Sequence, residues 1–284
     1  MRRIALLLFL SLTFHISAFA TWSVVAVDRS TGRIVIASAT CVNGADDFLK
    51  GVQAVVVPGK GIAACQAAAA NTDIVFAELK KGTAPKDIIE LISRQDEGFQ
   101  TRQYGIVDLQ GRFAGHSGLG NGFVAQHIEG QVPGTEIFYS IQGNILRSAS
   151  VIPNAVKAFV SNTGAITDRV MAAMDAADAS GGDSRCTCPP PPEDGSKPKI
   201  PCDAKTAQVA YILMAEPNDM IGEGPSNGKY KMYINVSQPD PDVLDANTTS
   251  HGPNQIKVGE NLNPVRTLRM RYDAWRKTQP ATFK

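Results

Sequence analysis

Thr21 has the most chemistry open to it, because the residues before it read as a removable leader. Arg2 and Arg3 give a short positive start, residues 4–14 form an apolar run, and Ala18-Phe19-Ala20 supplies the small residues that signal peptidase reads. Cleavage after Ala20 is predicted, since a cut after Ala18 would place Ile16 in a pocket that takes a small side chain. The mature chain then opens on a threonine. Its hydroxyl is a weak nucleophile alone, but the free α-amino group of the same residue can take its proton. That amine, with a reference pKa of about 7.7–8.0, keeps a neutral fraction near physiological pH. Before cleavage the nitrogen is an amide and cannot act as a base, so export would also be activation. Secreted proteins also begin with Thr for no catalytic reason, and Thr21 can equally be just the first residue of a core strand.

The apolar run is too short to span a bilayer comfortably, and no Cys follows the cut to carry a lipid. Residues 1–20 are therefore expected to be a signal peptide, with a periplasmic or secreted product and no stable membrane anchor. Export permits disulfides. Of the five cysteines, Cys186, Cys188 and Cys202 flank the proline run 189–192, and a bridge from Cys202 to one of the other two would close that loop. Cys41 and Cys65 could pair only if their strands are neighbours. A zinc site fits poorly, because Cys-x-Cys lacks the usual spacing and no nearby His or fourth Cys completes the set.

The elements that must position Thr21 follow from the period of the apolar residues. Strands are predicted at 22–28 and 33–39 around the turn Asp28-Arg29-Ser30-Thr31-Gly32, then at 52–57 and 62–66. These four read as one sheet. Helical spacing covers 73–80, and a second helix carries Pro85 in its first turn, Thr83 as its cap, and Ile88, Ile89, Leu91 and Ile92 as its buried stripe. Strands resume at 103–108, 112–116 and 137–141, helices at 152–160 and 165–179, and strands at 207–214 and 231–236. Residues 265–275 read as a closing helix with Asn263 and Pro264 at its start. Such segregated runs favour an α+β fold. Two face-to-face sheets with a helix pair outside each would bury every stripe, giving a four-layer αββα sandwich. One domain over 21–284 is expected, with a Pro/Cys-rich insertion at 186–203 and a polar one at 238–263 that lack the apolar residues to build a core.

Composition narrows the partners. The chain has 284 residues, with 28 Lys plus Arg against 27 Asp plus Glu, so the net charge of +1 gives no electrostatic case for nucleic acid. There is no phosphate loop, dinucleotide fingerprint or His/carboxylate cluster, so no cofactor and no metal are expected.

Separated motifs in a fixed order resemble a known family. Thr21-Trp22-Ser23-Val24, Gly61-Ile62-Ala63-Ala64-Cys65-Gln66-Ala67, Tyr104-Gly105-Ile106-Val107-Asp108, His116-Ser117-Gly118, Gln142-Gly143-Asn144-Ile145-Leu146, Gly181-Gly182-Asp183-Ser184-Arg185 and Pro264-Val265-Arg266-Thr267-Leu268 are similar to motifs of the bacterial domain-of-unknown-function 1028 branch of the N-terminal-nucleophile (Ntn) hydrolase superfamily. The chain departs from that pattern at Cys65, where the family has Thr, and after Arg185, where Cys186 and the proline insertion replace a Gly. The resemblance implies an Ntn-hydrolase-like fold whose nucleophile, Thr21, opens the first strand and acts on a small-molecule or peptide amide. Acyl transfer needs a donor for the developing oxyanion. Asn144 is the candidate, with Gln142 and Asn71 weaker, and Asn144 reads equally well as a turn residue. Asp183 and Arg185 are expected either to hold the rim of the site or, preferentially, to anchor the helix end at Gly181-Gly182. His116 fits a structural role better than a catalytic one, and His127 and His251 show no partner in sequence. The rival reading is a catalytically inactive descendant, a ligand-binding or cell-envelope scaffold protein. A homo-oligomer is compatible with either.

Overall fold

The structure is a computed structural model that describes residues 21–42, 47–66, 70–186, 205–237 and 254–283. The leader, Cys188, Cys202, His251 and most of both insertions lie outside these residues. The described fold is mixed α+β, with two antiparallel sheets and six helices.

The larger sheet has six strands in the order β10-β9-β2-β1-β8-β7. These are β1 (Thr21–Asp28), β2 (Arg33–Thr40), β7 (Gln126–Gln131), β8 (Ile137–Asn144), β9 (Val209–Ala215) and β10 (Met232–Ser237). The smaller sheet runs β3 (Ala54–Val57), β4 (Gly61–Gln66), β5 (Gln103–Asp108) and β6 (Phe113–Ser117) in chain order. The first four strands thus divide between two sheets instead of sharing one. The β1–β2 hairpin is flanked on both sides, by β8 and β9. Helix α1 (Phe48–Gln53) carries the chain across to the second sheet and takes in Val52 and Gln53, which the sequence pattern assigns to a strand.

Strands β1 and β8 are buried along their whole length, which explains their near-continuous apolar runs. Val25, Val27, Ile34, Ile36, Ile62, Ala64, Val107, Phe138 and Leu213 form one cluster drawn from both sheets. The other face of the smaller sheet packs Val57, Ala63 and Ile106 against helices α2 (Ala70–Lys81) and α3 (Pro85–Gln95). The other face of the larger sheet packs Trp22, Val24 and Ile212 against α4 (Val151–Ser161), α5 (Ile166–Ala179) and α6 (Pro264–Lys277).

Local chemistry sets the helix ends. Helix α3 starts at Pro85, with Ala84 in the cap position and Ile88 and Ile92 buried. Thr83 is not its cap, because its hydroxyl donates to Glu78 Oε2 at 2.6 Å, and Ile89 and Leu91 are only half-buried. Helix α6 has a side-chain cap, Asn263 Oδ1 accepting from Val265 N at 3.0 Å. Strand β7 has no counterpart in the sequence reading. Its residues Gln-His-Ile-Glu-Gly-Gln lie half-exposed on a sheet edge, so no buried alternation marks it.

Candidate active site

Strand parity decides what Thr21 faces. On β1, Trp22, Val24 and Ala26 point to the helices α4–α6, so Thr21, Ser23, Val25 and Val27 point between the sheets. Antiparallel register sets Thr21 opposite both Thr40 on β2 and Asn144 on β8. Ser23 lies opposite Ser38 and Gln142. From the facing sheet, Gln66 at the end of β4 and Gln103 at the start of β5 reach into the same space. One end of the inter-sheet layer is therefore polar, and Thr21 sits in it with 2% of its surface exposed.

The hydrogen bonds there form a connected network. Thr21 Oγ1 donates to Thr40 Oγ1 at 3.3 Å, and Thr40 Oγ1 also accepts from Val42 N. Asn144 Nδ2 donates to Gln66 Oε1 at 2.7 Å and to Gln103 Oε1 at 3.1 Å. Gln66 Nε2 donates to Ser23 Oγ at 3.0 Å. Gln103 Nε2 donates to Ser117 Oγ at 2.7 Å and to the carbonyls of Gly143 and Gln126. Those two carbonyls fix the orientation of the Gln103 amide, since only its nitrogen can serve them. Gln103 Oε1 must then accept, and Asn144 must present its nitrogen. Asn144 Oδ1 is left as a fully buried acceptor with no hydrogen-bond partner. Gln142 is the next cross-link along, donating to Ala64 O at 3.0 Å and accepting from Ser140 Oγ. Gly105 on β5 leaves it room, because a Cβ there would run into the Gln142 amide.

Asp183 closes the rim. Fully buried, it accepts from Cys41 N at 2.9 Å, directly after Thr40, and from the backbone and guanidinium of Arg185. The turn that carries it follows the end of α5 and is stitched to the end of β8 through the Leu146–Asp183 bridge and Ser184 N to Ile145 O. The Asp183–Arg185 pair is thus at the helix end and at the rim together. Cys186 pairs with Cys41 and not with Cys202, and Cys41 does not pair with Cys65; the bridge fastens this turn to β2. Two β-branched residues, Val124 and Ile145, hold left-handed backbone at φ 54° and 48° beside the end of β8. Such backbone is costly for their type and gathers at functional sites.

The remaining sequence candidates do not join Thr21. Asn71 on α2 donates to Asp96 Oδ2 and Tyr104 OH on the helix side of the smaller sheet. His116 points to that side too, stacked on Phe99 at 3.8 Å with Nε2 3.2 Å from Phe99 O, and burial holds its pKa below the ordinary imidazole value. Cys65 is unpaired and buried among the apolar residues under α2 and α3, where desolvation pushes its thiol far up. Sequence reasoning missed Ser23, Thr40, Gln66 and Gln103. Ser23 and Thr40 carried a signal, as polar residues on strands otherwise apolar on both faces, whereas Gln66 and Gln103, each at a strand end, carried none.

Among the described residues, no group of three or more His, Cys, Asp or Glu is placed to hold a metal ion. None of the described helices is long and apolar enough to cross a membrane, and a disulfide suits an oxidising compartment. A broad cavity lined by Asp28, Ser30, Gln131 and Thr135 lies at the far end of β1 from Thr21.

No curated protein matches the chain. It is similar to a crystallised DUF1028 protein from Silicibacter pomeroyi, at 20% identity and a TM-score of 0.60, covering 92% of this chain and 91% of that one. At that identity the likeness carries the fold alone. The family described as a family of unknown function (DUF1028) matches residues 21–188, more than half of the sequence, and the chain belongs to that family.

Proposed function

We propose that cleavage between Ala20 and Thr21 in the periplasm or during secretion yields an Ntn-hydrolase-like amide hydrolase, amidase or peptidase in kind, with Thr21 as nucleophile. The observation that carries this is the place of Thr21. The residue after the predicted cut is also the first residue of a central strand, with its hydroxyl in the polar end of the inter-sheet layer. Apolar clusters between the sheets and under the helices on each outer face support an αββα stack of the Ntn kind. In the reaction Thr21 Oγ1 attacks the carbonyl carbon while its proton passes to the α-amine. The amine then protonates the leaving nitrogen, and water releases the acyl group. Nucleophile and base share one residue, so the reaction needs no cofactor.

Asn144 has a defined part in this reading. In the uncleaved chain both hydrogens of its amide are held by glutamine oxygens, so donation to an oxyanion requires release of one, and the longer bond, to Gln103, is the one to give. A second reading is a non-catalytic ligand-binding or envelope scaffold protein. It is favoured by the near-complete burial of Thr21 and the full engagement of that amide.

N-terminal sequencing of the exported protein is expected to read Thr-Trp-Ser-Val. A β-lactone should then add one label to the N-terminal peptide, and Thr21→Ala should abolish it. Labelling of that peptide to the same extent in Thr21→Ala would sink the catalytic reading.

A further inference from the structure

Ser117, His127 and Glu129 lie together where the open edges of the two sheets meet. Ser117 ends β6, and His127 and Glu129 stand two residues apart on one face of β7. Their register partners on β8 are Gln142 and Ser140, so both side chains face the smaller sheet. His127 Nδ1 is 3.0 Å from Ser117 Oγ, and His127 Nε2 is 3.8 Å from Glu129 Oε2. The hydroxyl already accepts from Gln103 Nε2 at 2.7 Å. In the tautomer with the proton on Nε2, Nδ1 accepts the Ser117 hydroxyl proton and Nε2–H lies on the side of the carboxylate. The imidazole is 32% and the carboxylate 24% exposed, so solvent and solutes reach the group. Gly115 makes the space for it, since a Cβ there would lie 2.8 Å from Glu129 Oε2 and collide with the His127 ring.

A donor for an oxyanion is close by. Gly118 N bonds to Arg102 O, so the neighbouring Gln103–Ser117 pair is a non-hydrogen-bonded one and the Ser117 N–H points off the free edge of β6. The loop leaving Ser117 is anchored by buried Asn121, whose amide donates to Arg102 O and Gly118 O, and it displays Leu119 and Phe123, 95% and 85% exposed.

We propose that Ser117, His127 and Glu129 form a second acyl-transfer site, with its own nucleophile and base and sharing only Gln103 with the network around Thr21, for carboxylic esters with an apolar acyl or alcohol part. Ser117 Oγ bonds to the ester carbonyl carbon as its proton moves to His127 Nδ1. The carbon–oxygen bond to the alcohol breaks, and the alcohol leaves with that proton. Water then attacks the acyl-serine and gives a proton to His127, and Ser117 recovers that proton as the carboxylic acid departs. Glu129 supports the positive imidazole, Gln103 orients the hydroxyl, and Leu119 and Phe123 offer exposed apolar surface on the loop that leaves Ser117.

The test uses full-length Thr21→Ala protein, in which the first site is disabled while Ser117 is untouched. A fluorophosphonate should form an adduct that peptide mapping places on Ser117. His127→Ala in the same background should slow it at least about a hundredfold, and Glu129→Gln by less. The Thr21→Ala protein should also hydrolyse p-nitrophenyl butyrate. Absence of a Ser117 adduct in protein whose circular dichroism matches the parent, or an unchanged rate in His127→Ala, overturns the proposal. Labelling confined to Thr21 in the parent protein would support the first site and overturn this one.

Discussion

The inter-sheet layer has two ends built from the same strands. At one end β1, β2 and β8 contribute Val25, Val27, Ile34, Ile36 and Phe138, which pack on Ile62 and Val107. At the other the same strands contribute Thr21, Ser23, Ser38, Thr40, Ser140, Gln142 and Asn144, which meet Gln66 and Gln103. Burying an apolar side chain is favourable without any partner. Burying an amide or hydroxyl is unfavourable unless it is hydrogen-bonded, and then roughly neutral. The apolar end can hold the sheets together, whereas the polar end mainly fixes directions. A chain selected only for stability would extend the first pattern through both ends. Seven polar side chains on three adjacent strands, with one buried acceptor left over at Asn144, make the second end a directional network and not a second apolar core.

The sharpest way to break this contrast is at the apolar end. Ile36→Ala removes a fully buried side chain from between the sheets and is expected to cost about 2–5 kcal/mol in urea unfolding. Labelling of Thr21 in the folded fraction should be unchanged. Loss of labelling with little loss of stability would show that the two ends do not divide these tasks.

The rim of the polar end comes next. The Cys41–Cys186 bridge spans 145 residues of sequence, and Cys186→Ser is expected to lower unfolding free energy by about 2–4 kcal/mol. It should also raise hydrogen exchange at Cys41 N, because that amide is held by Asp183 on the same turn. Exchange unchanged there would mean that the Asp183–Arg185 pair positions the rim without the bridge.

Much of this arrangement is legible in the sequence, and the rest is hidden for physical reasons. The first strand over 22–28, the α3 helix at Pro85 and the start of α6 at Asn263 and Pro264 all follow from local period and punctuation. Asn144 and Gln142 come from the family resemblance, and register then brings both to β1. Gln66 and Gln103 carry no local signal, because each lies at a strand end and only the stacking of two sheets aims it at Asn144. The partner of Cys41 is equally silent, since 145 residues separate it from Cys186. Strand β7 hides because an edge strand half-open to solvent needs no apolar alternation, and with it the meeting of His127 with Ser117 is hidden too.

Gln103→Leu sharpens the contrast at the polar end itself. The replacement keeps the volume but withdraws the acceptor for Asn144 and the donor for Ser117 and two carbonyls. Leaving buried polar groups without partners costs about 1–3 kcal/mol, read as a shift of the urea midpoint. An unchanged midpoint would show that these groups find other partners and that Gln103 does not hold the network together.

The smallest effect is expected on the helix side of β6, which provides the control. His116 is held below its ordinary pKa of 6.5 mainly by burial, against the bond to Phe99 O, and the nearby His127 lowers it further. The folded state therefore takes up a proton at lower pH than the unfolded chain does. Its contribution is complete above about pH 6.5 and shrinks as pH falls below that value. Unfolding free energies measured at pH 7.5 and 5.5 should differ, and His116→Phe, which retains an aromatic ring on Phe99, should reduce the difference. Thr21 labelling at a single pH should not change in that variant, because His116 and Thr21 lie on opposite faces of the smaller sheet. A change in labelling would mean that the polar end is coupled through β6 to the helices outside it, and that its directions are not set by the inter-sheet network alone.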